Sequence, residues 1–243
     1  MNRNVIITGA SGDIGKAMAR RFGKACDRLL LVGGKNRAAL LELSAELSEA
    51  GVEVSVTTAD LSTEEGCEAV LREASNFFGA APDLLINNAG ISHVELFQDS
   101  TDENLLEILN TNLASAVRLS KLAVREMLPK KKGRILNVTS VWGEVGASME
   151  VEYSMTKGGI IAFTKALAKE LAPSGIIVNA ISPGAIDTKM NACHSPEELS
   201  ALAEEIPMGR LGRPEEVAEL SYLISIAPEY LTGQVIRMDG GWI

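Results

Sequence analysis

The chain has 243 residues, 46% of them hydrophobic, which suits one domain with a sizeable core. Its 23 Lys and Arg against 32 Asp and Glu give a net charge of -9, a field that repels phosphate backbones and anionic lipid, so nucleic acid and membrane surfaces are excluded as partners. Cys26, Cys67 and Cys193 have no paired spacing and His93 and His194 lie far apart, so the expectation is free, mostly buried thiols, no metal and no imidazole base.

The chain enters its first strand at Val5-Ile6-Ile7, too early for a signal peptide. No apolar run approaches the ~20 residues of a membrane span, and a cytoplasmic protein is expected. Short β-branched or leucine-rich runs at 5–8, 29–32, 52–56, 84–87, 135–139, 176–181 and 234–238 alternate with helix-sized intervals. In the interval 37–50, Leu40, Leu43 and Leu47 form one stripe and Gly51 is the stop. The interval 101–128 reads as one long helix capped by Thr101 and closed by Pro129. Lys130-Lys131-Lys132 with Arg134 falls in the loop after it, where such runs are usually solvated. Residues 153–172 are strongly helical, and 214–226 opens on Pro214 and ends before Pro228. Residues 187–208, with a small helix at 196–205, read as an excursion serving as a substrate lid. The whole pattern predicts a single α/β domain over 1–243: a Rossmann-type doubly wound parallel sheet of about seven strands with helices on both faces.

Thr8-Gly9-Ala10-Ser11-Gly12-Asp13-Ile14-Gly15 joins the first strand to a helix. Glycines there let the backbone approach a pyrophosphate, and the helix offers free N–H groups and a positive dipole end; a tight turn without a ligand would use the same glycines. After the second strand, Gly33-Gly34-Lys35-Asn36-Arg37 lacks the acidic residue that grips a ribose 2′-hydroxyl and repels a 2′-phosphate. NADP is therefore favoured over NAD. Lys35 and Arg37 are candidates for the phosphate, against the plainer reading of solvent-facing loop cations.

Tyr153 and Lys157 are four apart on a helix and project from one face. A phenol of pKa ~10 is too weak an acid at neutral pH, but an ammonium ~4 Å away at an effective dielectric of ~20 contributes ~4 kcal/mol, on the order of three pKa units. That brings Tyr153 near neutrality. A lone Y-x-x-x-K arises by chance in many helices; Ser140, thirteen positions earlier at the end of the fifth strand, gives the pair a place on the sheet edge.

The glycine turn resembles the T-G-x-x-x-G-x-G fingerprint of the short-chain dehydrogenase/reductase family, and the similarity runs from Val5 to Trp242. The resemblance implies cofactor contacts from Gly9, Ser11, Gly12, Ile14 and Gly15 in the turn and from Lys35 and Asn36 after the second strand. It further implies Asp60 and Leu61 at the adenine, Asn88, Ala89 and Gly90 of an N-N-A-G motif at the ribose, and Pro183, Gly184, Ile186 and Thr188 at the nicotinamide. Ser140 then holds the substrate oxygen, Tyr153 donates the proton, Lys157 orients the ribose, and Asn112 supports a water leading to the lysine. Asp13 stands where the fingerprint has its middle glycine; it is expected to turn aside and cap the helix.

Within the family the chain is most like 3-oxoacyl-carrier-protein reductases. That implies NADPH-driven ketone reduction in fatty acid biosynthesis, docking of an acyl carrier protein on the 130–134 loop, with Ser174 at a second position often basic there, and a homotetramer built on the helices 101–128 and 153–172. The segment from Trp142 to Ser148, with Glu150, resembles instead the relatives that reduce a 5-aminopentanone group on elongation factor P. Trp142 and Glu144 are then substrate residues, Glu144 receiving an ammonium or else lying on the surface. A non-catalytic NADP-binding module is the remaining alternative, against which the intact Ser140, Tyr153 and Lys157 set argues.

Overall fold

The computed structural model describes residues 2–25, 27–191 and 195–243. In chain order its first half runs β1 (Asn4–Thr8), α1 (Asp13–Gly23), β2 (Arg28–Gly33), α2 (Arg37–Glu49), β3 (Val54–Thr58), α3 (Glu64–Phe78), β4 (Leu84–Asn87), α4 (Asp102–Leu109) and α5 (Ser115–Met127). The second half runs β5 (Gly133–Val138), the short α6 (Trp142–Val145), α7 (Val151–Leu171), β6 (Ile176–Pro183), α8 (Pro196–Glu205), α9 (Pro214–Ser225) and β7 (Val235–Met238). All strand pairs are parallel, in the order β3-β2-β1-β4-β5-β6-β7. The expected doubly wound sheet is the fold.

Alternation along the strands decides which core each side chain enters. Val5, Ile7, Leu29, Leu31, Leu84 and Ile86 meet α1, α2 and α9 on one face. Ile6, Leu30, Val32 and Leu85 meet α3, α5 and α7 on the other. Both faces are dry, which is why these strands are continuously apolar. Complete burial of a side chain such as Phe22 or Leu30 contributes about 1.5–3 kcal/mol, and these two cores hold the strand ends that carry the site. Because β1 neighbours both β2 and β4, the winding reverses between β1 and β4 and leaves a crevice at their C-terminal ends.

Three local expectations are corrected. The third strand begins at Val54, because the Val52 N–H donates to the Leu47 carbonyl (2.9 Å) and closes the turn that ends α2. The helix expected over 101–128 is α4 and α5 joined by a π-helical turn at Asn110–Ala114. Its extra residue breaks the 3.6-residue period and rotates Asn112 inward, leaving it 2% exposed. Arg134 lies in β5 rather than a solvated loop: it donates to the Ala227 carbonyl (2.8 Å), and burial pushes its pKa down.

Thr101 caps α4 through the Asn104 N–H (3.2 Å), and α8 occupies the expected 196–205 behind a Ser195 capping box. Of the proposed lid, residues 192–194 lie outside the described residues, as do Cys26, Cys193 and His194. Cys67 is a free, buried thiol. Among the described residues no helix is long and apolar enough to cross a membrane, and no three metal-ligating side chains are gathered.

Candidate active site

The crevice is built first from backbone. Gly9 adopts a positive φ of 65°, and a Cβ there would lie 2.9 Å from the Ala89 Cα. One turn on, a Cβ at Gly15 would lie 2.2 Å from the Gly9 carbonyl oxygen. The glycines thus allow α1 to seat directly on the turn. Thr8 ties this turn to the end of β4: its hydroxyl accepts the N–H groups of Asn88 (2.9 Å) and Ala89 (3.0 Å), while the Asn88 amide donates to the Thr8 carbonyl (3.0 Å). Gly12 is the N-cap of α1 and no side chain caps the first-turn amides. They remain available to an anion.

Farther along the crevice, Asp60 is held by the Ser62 N–H (3.0 Å) and hydroxyl (2.6 Å), bonds that with nearby Lys35 keep its carboxyl below the usual range. Leu61 is buried in the core. Lys35 and Arg37 are exposed, and their side chains make no hydrogen bond or ion pair among the described residues. Asn36 is the N-cap of α2, its side-chain oxygen already accepting the Ala39 N–H (3.1 Å). On the other side of the crevice, the Gly184 N–H donates to Met238 (2.9 Å), and Ile186, which bridges to Gly212, is buried beside half-buried Thr188.

The polar cluster sits where β5 ends against α7. The Thr139 hydroxyl donates to the Lys157 carbonyl (2.7 Å), and Lys157 Nζ donates to the Val138 carbonyl (3.0 Å), so strand and helix are joined twice at this level. Lys157 Nζ lies 5.5 Å from the centre of the Tyr153 ring. The Tyr153 phenol shares a hydrogen bond with Ser140, whose hydroxyl also accepts the Trp142 N–H (3.2 Å). Asn112 clasps the backbone of Ile91, accepting its N–H (2.8 Å) and donating to its carbonyl (2.8 Å). A methyl group placed on Gly90 would sit 3.4 Å from Asn112 Oδ1 and 3.5 Å from Lys157 Nζ. The structure therefore brings Ser140, Tyr153, Lys157, Asn112 and Gly90 together.

A sequence model described as "short chain dehydrogenase" matches residues 3–199 of this chain. The chain belongs to the short-chain dehydrogenase family. It is an oxidoreductase of carbonyl and alcohol groups, in a family that binds a nicotinamide cofactor. Similar proteins include the "uncharacterized oxidoreductase YmfI" of Bacillus subtilis, 41% identical and covering 100% of this chain and 99% of that protein. The 3-oxoacyl-(acyl-carrier-protein) reductase FabG of Aquifex aeolicus is 37% identical, with 97% and 95% covered. A variant actinorhodin polyketide ketoreductase solved with NADPH is 34% identical, with a TM-score of 0.92 over 98% of this chain and 96% of that one.

The electrostatics of this short-chain dehydrogenase differ from the expectation in one respect. Burial raises the Tyr153 pKa above its ordinary value; the Ser140 hydrogen bond works against that, and the negative charge of Glu150 adds to it. Lys157, whose Nζ lies 5.5 Å from the ring centre, is not among the groups that shift the phenol, and burial pulls its own pKa down to about 8. The protein's own groups thus keep the phenol protonated rather than bringing it near neutrality.

Two carboxylates also depart from their expected roles in the short-chain dehydrogenase. Asp13 turns aside but does not cap α1: its Oδ2 accepts the Lys189 N–H (2.7 Å), fastening the glycine turn to the segment after β6. Glu144 is not free to receive a substrate ammonium, since one oxygen accepts from Ser182 (2.6 Å) and the other from Arg237 (2.5 Å). Trp142 stacks edge to face on Trp242, ring centres 4.8 Å apart, so the C-terminal residues join the site's wall. Sequence reasoning missed Trp242, Ser182 and Arg237, because no motif ties the chain's end to α6. It also missed the buried chain in which Asn87 donates to Ser120 (3.0 Å) and Asn137 (2.8 Å), and Asn137 to Thr164 (2.8 Å).

The residues fit a nicotinamide dinucleotide. The uncapped amides of α1 and the glycine turn lie at the pyrophosphate end, while Ser140, Tyr153 and Lys157 lie beyond the N-N-A-G strand end.

Proposed function

We propose that the chain is an NADPH-dependent ketone reductase of the 3-oxoacyl-carrier-protein reductase type, with Ser140, Tyr153, Lys157 and Asn112 as its catalytic set. The observation that carries this reading is the Tyr153 phenol, hydrogen-bonded to Ser140 and kept protonated beside buried Lys157. Ser140 and Tyr153 bind the carbonyl oxygen. A reduced nicotinamide, when bound in the crevice, would supply the hydride that the carbonyl carbon accepts. Tyr153 gives its proton to the oxygen as negative charge develops there. Lys157, with a pKa of about 8, holds the ribose and returns a proton to Tyr153, while Asn112 fixes the Ile91 backbone beside it.

The phosphate end is supported by Gly12, Ser11, Ile14 and Asn88 to Gly90, and the preference for NADP by exposed Lys35 and Arg37 with no acid after β2. Carrier docking is left to Lys131 and Lys132, since Lys130 donates to the Ala81 carbonyl (3.2 Å) and half-buried Arg134 in β5 donates to the Ala227 carbonyl. Exposed Leu106, Val117, Val151 and Met155 support a homotetramer packed through α4, α5 and α7. Residues 187–208 act as the lid. A second reading, reduction of an amino-ketone such as the 5-aminopentanone group on elongation factor P, is favoured by the carboxylate of Glu150, which accepts the Ser92 hydroxyl and forms no ion pair among the described residues.

The test is NADPH oxidation with an acetoacetyl thioester. Turnover is expected with the native chain and a loss of at least 1,000-fold with Tyr153→Phe, on the order of what general acid catalysis contributes, while NADPH still binds. Near-normal activity of the variant refutes the assignment; tight NADPH binding without turnover of any ketone favours a binding module.

A further inference from the structure

The single turn of α6 follows Ser140 directly and lies between α7 and the ends of β6 and β7. The Gly143 N–H donates to the Ser140 carbonyl (2.9 Å), and the Val141 N–H to the Pro183 carbonyl (3.1 Å). Gly143 lets the turn press on α7 beside the lysine, since a Cβ there would lie 2.6 Å from the Lys157 carbonyl carbon. A helix of four residues has no stability of its own, because nucleation is unfavourable and one turn does not offset it. The place of α6 therefore depends on what its side chains reach.

Glu144 is the charged residue of that turn. One carboxylate oxygen accepts the hydroxyl of Ser182 (2.6 Å), which is fully buried in β6 just before Pro183 and Gly184. The other accepts Nη2 (2.5 Å) and Nε (3.2 Å) of Arg237 in β7. Burial works to raise the Glu144 pKa, but the bonds from Arg237 and Ser182 outweigh it and hold the carboxyl below its usual range. Arg237 also donates to the Ile243 carbonyl, while Asp239 accepts the N–H groups of Gly241 (3.0 Å) and Ile243 (3.0 Å). The turn so formed brings Trp242 onto Trp142. Gly184 closes the ring of contacts: its N–H donates to the Met238 carbonyl (2.9 Å), and a Cβ on it would lie 2.8 Å from that of Asp239.

We propose that Glu144 is a positioning residue: by joining α6 to Ser182 and Arg237 it holds Ser140 in a fixed place relative to the Pro183-Gly184 strand end. The inference rests on the ketone-reductase reading, in which Ser140 binds the carbonyl oxygen and Pro183 and Gly184 lie at the nicotinamide. With both oxygens engaged inside the protein, Glu144 acts through Ser140. Alignment of the two sides is required when hydride moves and not when substrate binds, so release of this tie lowers kcat more than it raises KM.

Trp142 and Trp242 are the only tryptophans of the chain, so near-ultraviolet circular dichroism of the indoles reads their contact without cofactor or substrate. Glu144→Ala and Arg237→Ala are each expected to lower kcat for NADPH oxidation with the acetoacetyl thioester by on the order of 10- to 100-fold. The KM for the thioester should stay within about 3-fold of native, and the indole band should weaken in both variants. The double variant should be no slower than the slower single one, because the pair acts as one unit. Glu144→Gln keeps the size and an acceptor for Ser182; it should lie between native and Glu144→Ala in kcat and in the indole band, and it decides the matter if the alanine variant does not fold. An unchanged kcat, a loss confined to KM, additive losses in the double variant, or a slower kcat with an unaltered indole band each overturn the inference and leave the reductase reading standing. A native chain that oxidises no NADPH with any ketone overturns both.

Discussion

Lys157 is a costly residue for the fold, and the cost can be measured. Its ammonium is buried with the Val138 carbonyl as its hydrogen-bond partner (3.0 Å), and burial brings its pKa from the ordinary 10.5 to about 8. At ~1.36 kcal/mol per pKa unit, that difference corresponds to about 3 kcal/mol by which the charged lysine disfavours folding. The sign follows from proton counting. Between pH 8 and 10.5 the unfolded chain keeps the proton that the folded chain has lost, so stability from this residue rises with pH across that window. The penalty is fully present below about pH 8. Lys157→Met removes the charge at all pH, and the lost bond to Val138 is a pH-independent offset of about 1 kcal/mol. The stability of the variant minus that of the native chain should therefore fall by about 3 kcal/mol between pH 7 and 10.5. Paired urea unfolding curves at fixed protein concentration read this difference directly, and turnover should vanish in the same variant. A difference that stays flat with pH, or rises, refutes the claim that the lysine is buried as a strained cation.

Two further outcomes follow from the cofactor end. Lys35→Glu places an acid beside the expected 2′-phosphate, and the ratio of kcat/KM for NADPH over NADH should drop by at least about 10-fold; an unchanged ratio removes Lys35 from the phosphate site. Asp13→Ala cuts the tie to the Lys189 N–H and should change the KM for NADPH by about 5-fold, the worth of roughly one hydrogen bond, whereas Asp13→Asn retains an acceptor and should behave like the native chain. Equal KM values in all three forms show that the tie does not bear on cofactor binding.

The sheet was legible because its physics is local. Apolar β-branched runs of four to six residues, each followed by an amphipathic stripe, leave few arrangements in which both strand faces are covered. Element ends were legible where a single residue terminates or caps, as Thr101 and Gly51 do. The π turn was not, because Asn110 to Ala114 has ordinary helix-forming residues, and it is the clasp of Asn112 on Ile91, across 21 positions, that accompanies the extra residue. Val52 reads as a strand residue by alternation, yet its N–H is taken by the end of α2.

For the site, the sequence by itself determined which residues gather at the C-terminal edge of the sheet: Ser140 at a strand end, Tyr153 and Lys157 on one helix face, and the glycine turn after β1. It did not determine the state of their protons or the partners of their carboxylates. Tyr153 is kept protonated, Glu144 is taken up by Ser182 and Arg237, Asp13 is spent on Lys189, and Glu150 accepts the Ser92 hydroxyl. Only the tertiary structure decided these, because desolvation and ion pairing depend on groups that lie far apart in the chain and meet only when the sheet is closed on both faces.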